Sequence, residues 1–267
     1  MTYEFGNNAG TRKRALPIAK KLIAEAEALV TRGLDVPVED VALVRVLGGW
    51  WVHVNGLAAD FVNRIEAGST IQTTPSYRSI VEHVYKMIWL AQTGDDGLTV
   101  IDFVTWNGRR KMIEEMVKQG HWPIPDGVEV GPVPDVDIRT LKPVKDDPIQ
   151  GHLYRLWLEF ENFNKITARF GEPSMYTVYR HLCDYTHPTA WTADSYTEDN
   201  GDGTFSIRLN PKPRGGGKPD VLWLPILLMQ AGSVVSSKLK GDPFRPVVTR
   251  AARDYGVPTS GLIPPSS

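Results

Sequence analysis

Apolar positions recur along this chain at helical spacing, in segments separated by glycine and proline. Residues 12–33 carry Leu16, Ile18, Ala19, Leu22, Ile23, Ala26, Leu29 and Val30 with Lys and Glu opposite. Gly33 suits the C-terminal stop, and Pro17 falls early, where a first helical turn tolerates it. Residues 39–67 repeat the pattern through Val41, Val44, Leu47, Trp51, Val54, Ala58, Phe61 and Ile65. Gly48-Gly49 inside this segment predicts a kink or a close helix contact. Thr74-Pro75-Ser76 opens a third helix with a capping residue before the stripe Ile80, Val81, Val84, Met87, Ile88 and Ala91. Gly94-Asp95-Asp96-Gly97 reads as a turn, and Leu98 to Gln119 as a fourth helix.

From Trp122 to Pro148 the period is lost among prolines, aspartates and valines, which predicts a long extended connector laid over the helices. Helical spacing returns in the aromatic segment His152–Phe170 and again over Met175–His187, which Pro188 ends. Residues 194–210 predict a hairpin, with Glu198–Gly203 as the turn and Thr204–Leu209 alternating. Arg214–Lys218 reads as a flexible loop. A last long helix is predicted over about Asp220–Lys240 and a short one over Arg245–Tyr255, with a loose Pro/Ser-rich tail from Pro258. The fold class that follows is mainly α: a helical bundle with a small β-hairpin insert and a long Pro-rich connector, one domain over residues 1–257.

Composition narrows the function classes. The chain has 267 residues, 30 Lys plus Arg and 31 Asp plus Glu, so bulk charge gives no argument for nucleic-acid binding. A local basic groove stays open. The single cysteine, Cys183, allows no intrachain disulfide and suits a reducing compartment. The polar N-terminus shows no signal-peptide pattern, and the apolar run Val221–Met229 is too short and interrupted for a membrane span. A cytoplasmic protein without a membrane partner is expected. No His-Glu-x-x-His, paired CxxC or phosphate-loop pattern occurs, so neither a metal nor a cofactor is expected. Glu198–Gly203 glances at a calcium loop, but the twelfth position falls near Leu209 instead of an acidic residue.

The polar candidates sit on two of the predicted helices. Arg180 and His187, seven apart, share one helix face, with Tyr179 and Asp184 beside them. A histidine can take and return a proton near neutral pH, and an arginine fork matches phosphate oxygens. That pair suits metal-independent attack of a ribose 2′-hydroxyl on its phosphate. Equally, Arg180 and Asp184 fit an ordinary i,i+4 ion pair, with His187 placed at a helix end by the macrodipole. Arg78 and Glu82, one turn apart with His83 adjacent, are the second candidate pair. They read either as completing the same polar site from a neighbouring helix or as an ion pair that sets helix register. Cys183 reads as a nucleophile beside His187 or, more simply, as an inert core residue.

Arg78-x3-Glu82 and the later Tyr179-x2-Leu182-Cys183-x3-His187-Pro188 resemble the motifs of the DUF5677-like helical families of unknown function, with Cys183 where serine is usual. The resemblance runs over roughly residues 70–190. The Arg180-x6-His187 spacing is also similar to the signature of HEPN domains. That likeness implies a metal-independent endoribonuclease of a toxin or phage-defence system, working as a homodimer on RNA. Arg180 would hold the scissile phosphate and His187 would move the proton, supported by Arg78 and Glu82. The competing expectation is a non-catalytic helical module that binds a partner protein or small ligand and uses its polar cluster only for packing.

Overall fold

The computed structural model describes residues 3–69, 71–120, 131–141, 151–170, 173–211 and 221–263. The fold is mainly helical, with one two-stranded sheet among the described residues. The described chain divides into two compact units, one of residues 1–88 and 167–267 and the other of residues 89–166.

In the first unit, α1 (Ala9–Arg32) begins three residues before its predicted start. Asn8 caps it: its side-chain oxygen accepts the Thr11 N–H at 2.9 Å. The stripe Ala15, Ile18, Ala19, Leu22, Ala26 and Leu29 is buried. The second helix, α2 (Val41–Glu66), runs through Gly48-Gly49 without the expected kink. Nor does a close contact require the pair: Gly48 is buried, but a Cβ there would meet Leu34 at an ordinary 4.0 Å, and one at Gly49 would meet nothing within 4 Å. Val38–Glu66 is long and apolar enough to cross a membrane by length and composition alone. Here its face of Leu47, Trp51, Val54, Ala58 and Phe61 is buried, and α2 packs on α1 and on α8 (Leu224–Ser236).

Helix α8 lies at the centre of this unit and also packs on α9 (Arg245–Tyr255). It is shorter than the predicted Asp220–Lys240: a 3-10 turn, Val221–Trp223, leads into it, and Pro225 sits in its first turn. Ser236 closes its end, accepting the Phe244 N–H at 2.8 Å and donating to Asp242 at 2.5 Å. Gly232 is required on this helix. A Cβ there would stand 2.5 Å from the Phe244 ring, which is itself held edge-on against Trp51 at 5.2 Å. Beyond Pro258, Thr259–Gly261 form a 3-10 turn and Leu262 is buried, where a loose tail is expected from composition.

The helix α3 (Thr74–Gln119) starts in this unit, with Tyr77 stacked on Phe61 at 5.0 Å. The two predicted helices on either side of the Gly94–Gly97 turn are continuous except at Gly94. Its backbone, φ 57° and ψ −130°, suits glycine and bends the element there. Also in the first unit, α6 (Pro173–Thr186) and α7 (Ala190–Asp194) lead into a hairpin of β1 (Thr197–Asp199) and β2 (Phe205–Ile207). Thr197 pairs with Ile207 and Asp199 with Phe205. Asp199 and Asp202 accept backbone N–H groups inside the turn, and Phe205, Ile207 and Leu209 are exposed.

The second unit is built on aromatic contacts. Phe103 meets Trp157 edge-on at 5.7 Å, and Trp89 lies 5.1 Å from Phe160. The predicted single helix over His152–Phe170 is two, α4 (His152–Phe160) and α5 (Phe163–Arg169). Asn162 breaks it, because its side chain accepts the N–H groups of Asn164 and Lys165 and so starts a new helix. Of the Pro-rich connector, residues 131–141 are described. Ile138 is fully buried there in a short 3-10 turn that packs on α4. Its other residues and the Arg214–Lys218 loop lie outside the described ones.

Candidate functional site

Arg78 and Glu82 stand one turn apart on α3, on the polar side left over once Tyr77, Ile80, Val81, Val84 and Tyr85 are buried. On α6, burial of Met175 and Leu182 turns Tyr179 and Cys183 to the neighbouring helix. The two pairs meet across 97 to 105 positions of sequence. Arg78 donates Nε–H to Cys183 Sγ at 3.1 Å and an Nη2–H to the Tyr179 hydroxyl. Its guanidinium carbon also lies 4.7 Å from the Tyr179 ring centre. Tyr179 donates weakly onward to Glu82 at 3.4 Å, and Glu82 lies 3.6 Å from Arg78. Lys86, a further turn along α3, completes the group with a 2.9 Å bond to Glu82.

The electrostatics follow from partial burial and pairing. Burial works against the Glu82 charge, but the Lys86 ammonium and then Arg78 outweigh it and hold the carboxyl below its ordinary range. Burial likewise opposes the Arg78 charge, yet the Cys183 and Tyr179 contacts hold the guanidinium above its usual value. Burial and the Glu82 carboxylate raise the Tyr179 phenol, so it is a neutral donor at pH 7. The result is a half-buried network in which each charge faces an opposite charge or a polar partner.

Arg180 and His187 take a different place. Both are exposed. Arg180 hydrogen-bonds Tyr176 one turn back, which with the lesser pull of Asp184 raises its guanidinium. His187 follows the last residue of α6, with its N–H on the Cys183 carbonyl and its own carbonyl accepting from Thr192. The Asp184 carbonyl accepts from Thr189 and Thr192, which ties the end of α6 to the start of α7. Of the six sequence candidates, the structure brings together Arg78, Glu82 and Tyr179, while Arg180 and His187 face solvent. Sequence reasoning missed Lys86, whose i,i+4 spacing from Glu82 was the available signal. It also left Cys183 among core residues, where the structure gives it the Arg78 contact. Among the described residues no group of three His, Cys, Asp or Glu is placed to hold a metal.

A mainly helical protein with a half-buried Arg–Glu–Tyr–Cys cluster and an exposed Arg-x6-His is the class these observations define. Residues 44–204 match the model of DUF5677, a family of unknown function, and the match covers more than half of the chain. The chain belongs to the DUF5677 family. No curated protein and no solved structure matches it.

Proposed function

We propose that the chain is a metal-independent endoribonuclease whose working groups are Arg180 and His187, similar in motif to HEPN domains. The observation that supports this is the exposure of both side chains, Arg180 on α6 and His187 just past its end, while Arg78, Glu82 and Tyr179 are paired among themselves. In this reading the half-buried cluster positions α6, and the chemistry happens on its outer side. His187 takes the proton of a ribose 2′-hydroxyl. The oxygen attacks the adjacent phosphorus, the bond to the 5′-oxygen breaks, and the leaving oxygen receives a proton. Arg180 stabilises the charge that builds on the phosphoryl oxygens. The products are a 2′,3′-cyclic phosphate and a 5′-hydroxyl. A second copy of the chain would offer a second histidine for the return of the proton.

The test is RNA cleavage by the full chain in EDTA, with end-group analysis of the products. Cyclic phosphate ends are expected, with loss of cutting in Arg180→Ala and His187→Ala. Absent cleavage, or cleavage that survives either substitution, overturns the reading. A non-catalytic helical module that binds a partner protein or small ligand is the second reading. The closed pairing of Arg78, Glu82 and Lys86 favours it, since ion pairs of this kind also serve only to set register.

A further inference from the structure

Next to that cluster, two histidines from different helices stand close together with their rings tilted. His53 on α2 and His83 on α3 have ring centres 4.9 Å apart and planes inclined at 57°. Trp50, one turn before His53, meets His83 edge-on at 6.2 Å. His83 Nδ1 lies 2.8 Å from the Ser79 carbonyl oxygen. A carbonyl only accepts, so Nδ1 carries the hydrogen and Nε2 keeps its lone pair. A backbone carbonyl on the far nitrogen is also what orients histidines that bind metals.

We propose that His53 and His83 form a two-histidine site for a divalent transition ion, Zn²⁺ or Cu²⁺, bridging α2 and α3, with water filling the remaining positions. Two imidazoles on one Zn²⁺, with Zn–N bonds of about 2.0–2.1 Å at a near-tetrahedral angle, place their ring centres roughly 5 Å apart. The observed spacing matches. Imidazole nitrogen suits zinc and copper among the available divalent ions. The charges around His83 permit a cation. Glu82 lies beside it, and the nearby Lys86 ammonium is bonded to that same carboxylate. His53 is exposed, which gives an ion a path from solvent. The inference does not depend on the proposed nuclease, whose assay runs in EDTA.

The experiment is calorimetric titration of the EDTA-stripped, desalted full chain with ZnCl₂ at pH 7.5, beside His53→Gln and His83→Gln. One Zn²⁺ per chain is expected. Each variant should bind at least about tenfold more weakly, since loss of even an outer partner commonly costs that much. Cu²⁺ should show coupling to two nitrogens by electron paramagnetic resonance in the wild type and to one in His53→Gln. His53 is exposed, so His53→Gln keeps the test open if His83→Gln fails to fold. No binding by the wild type, or unchanged affinity in His53→Gln, overturns the proposal. So does weakening in one folded variant but not in the other.

Discussion

The two sides of α6 differ in what their polar groups face. On the inner side Tyr179 and Cys183 receive Arg78 and lie half-buried beside Leu182. On the outer side Arg180 is open to water, with Tyr176 from its own helix as its leading partner. Adjacent residues, 179 and 180, thus belong to different regions of the protein. The inner groups hold two helices together, and the outer groups are available to something else. A polar cluster and an exposed arginine can share one short helix because successive side chains project about 100° apart.

That contrast can be broken by substitution. The largest effect expected is on RNA cleavage. His187→Ala should lower it by about 10²–10⁴-fold, the usual range for a general acid–base, while stability moves by less than about 0.5 kcal/mol. Parallel cleavage and urea-unfolding assays read both. Arg78→Ala should do the reverse, costing about 1–3 kcal/mol by urea unfolding, because it leaves Glu82, Tyr179 and Cys183 without their shared donor. If Arg78→Ala keeps full stability, the inner side is not what secures α6.

Next comes pH. Glu82 and His83 are both held below their ordinary values of 4.5 and 6.5. Each therefore contributes stability that is fully present above its unfolded value and lost as pH falls through the folded one. Thermal unfolding should weaken first below about 6.5 through His83 and again below about 4.5 through Glu82. His83→Gln should flatten the first slope and Glu82→Gln the second. The smallest effect is Tyr179→Phe, which removes the hydroxyl but keeps the ring under the guanidinium. About 1 kcal/mol is expected by urea unfolding.

The helices were legible wherever one face is buried, as over Leu47–Phe61 or Ile80–Ile88. Hydrophobic spacing carries that information directly. The hairpin was legible from Glu198–Gly203, although Glu198 and Asp199 of that predicted turn belong to β1. The break at Asn162 was not, because Phe160 and Phe163 continue the aromatic pattern across it and only the asparagine marks a new cap. The i,i+4 relations Arg78–Glu82 and Tyr179–Cys183 could be read, since each lies within one helix. Which residue of α6 Arg78 would meet could not. A rotation of one residue about the α6 axis exchanges Tyr179 for Arg180, and that rotation is set by the packing of Met175 and Leu182.

The tight fit of Gly232 against Phe244 bears on how this lineage can change over time. The ring cannot retreat, because Trp51 braces its edge and Ser236 holds the Phe244 backbone. A methyl group added at 232 alone should cost about 1–3 kcal/mol as overpacking. Alanine at 232 should be tolerated best where a smaller side chain already stands at 244. The two positions should therefore covary when relatives are aligned.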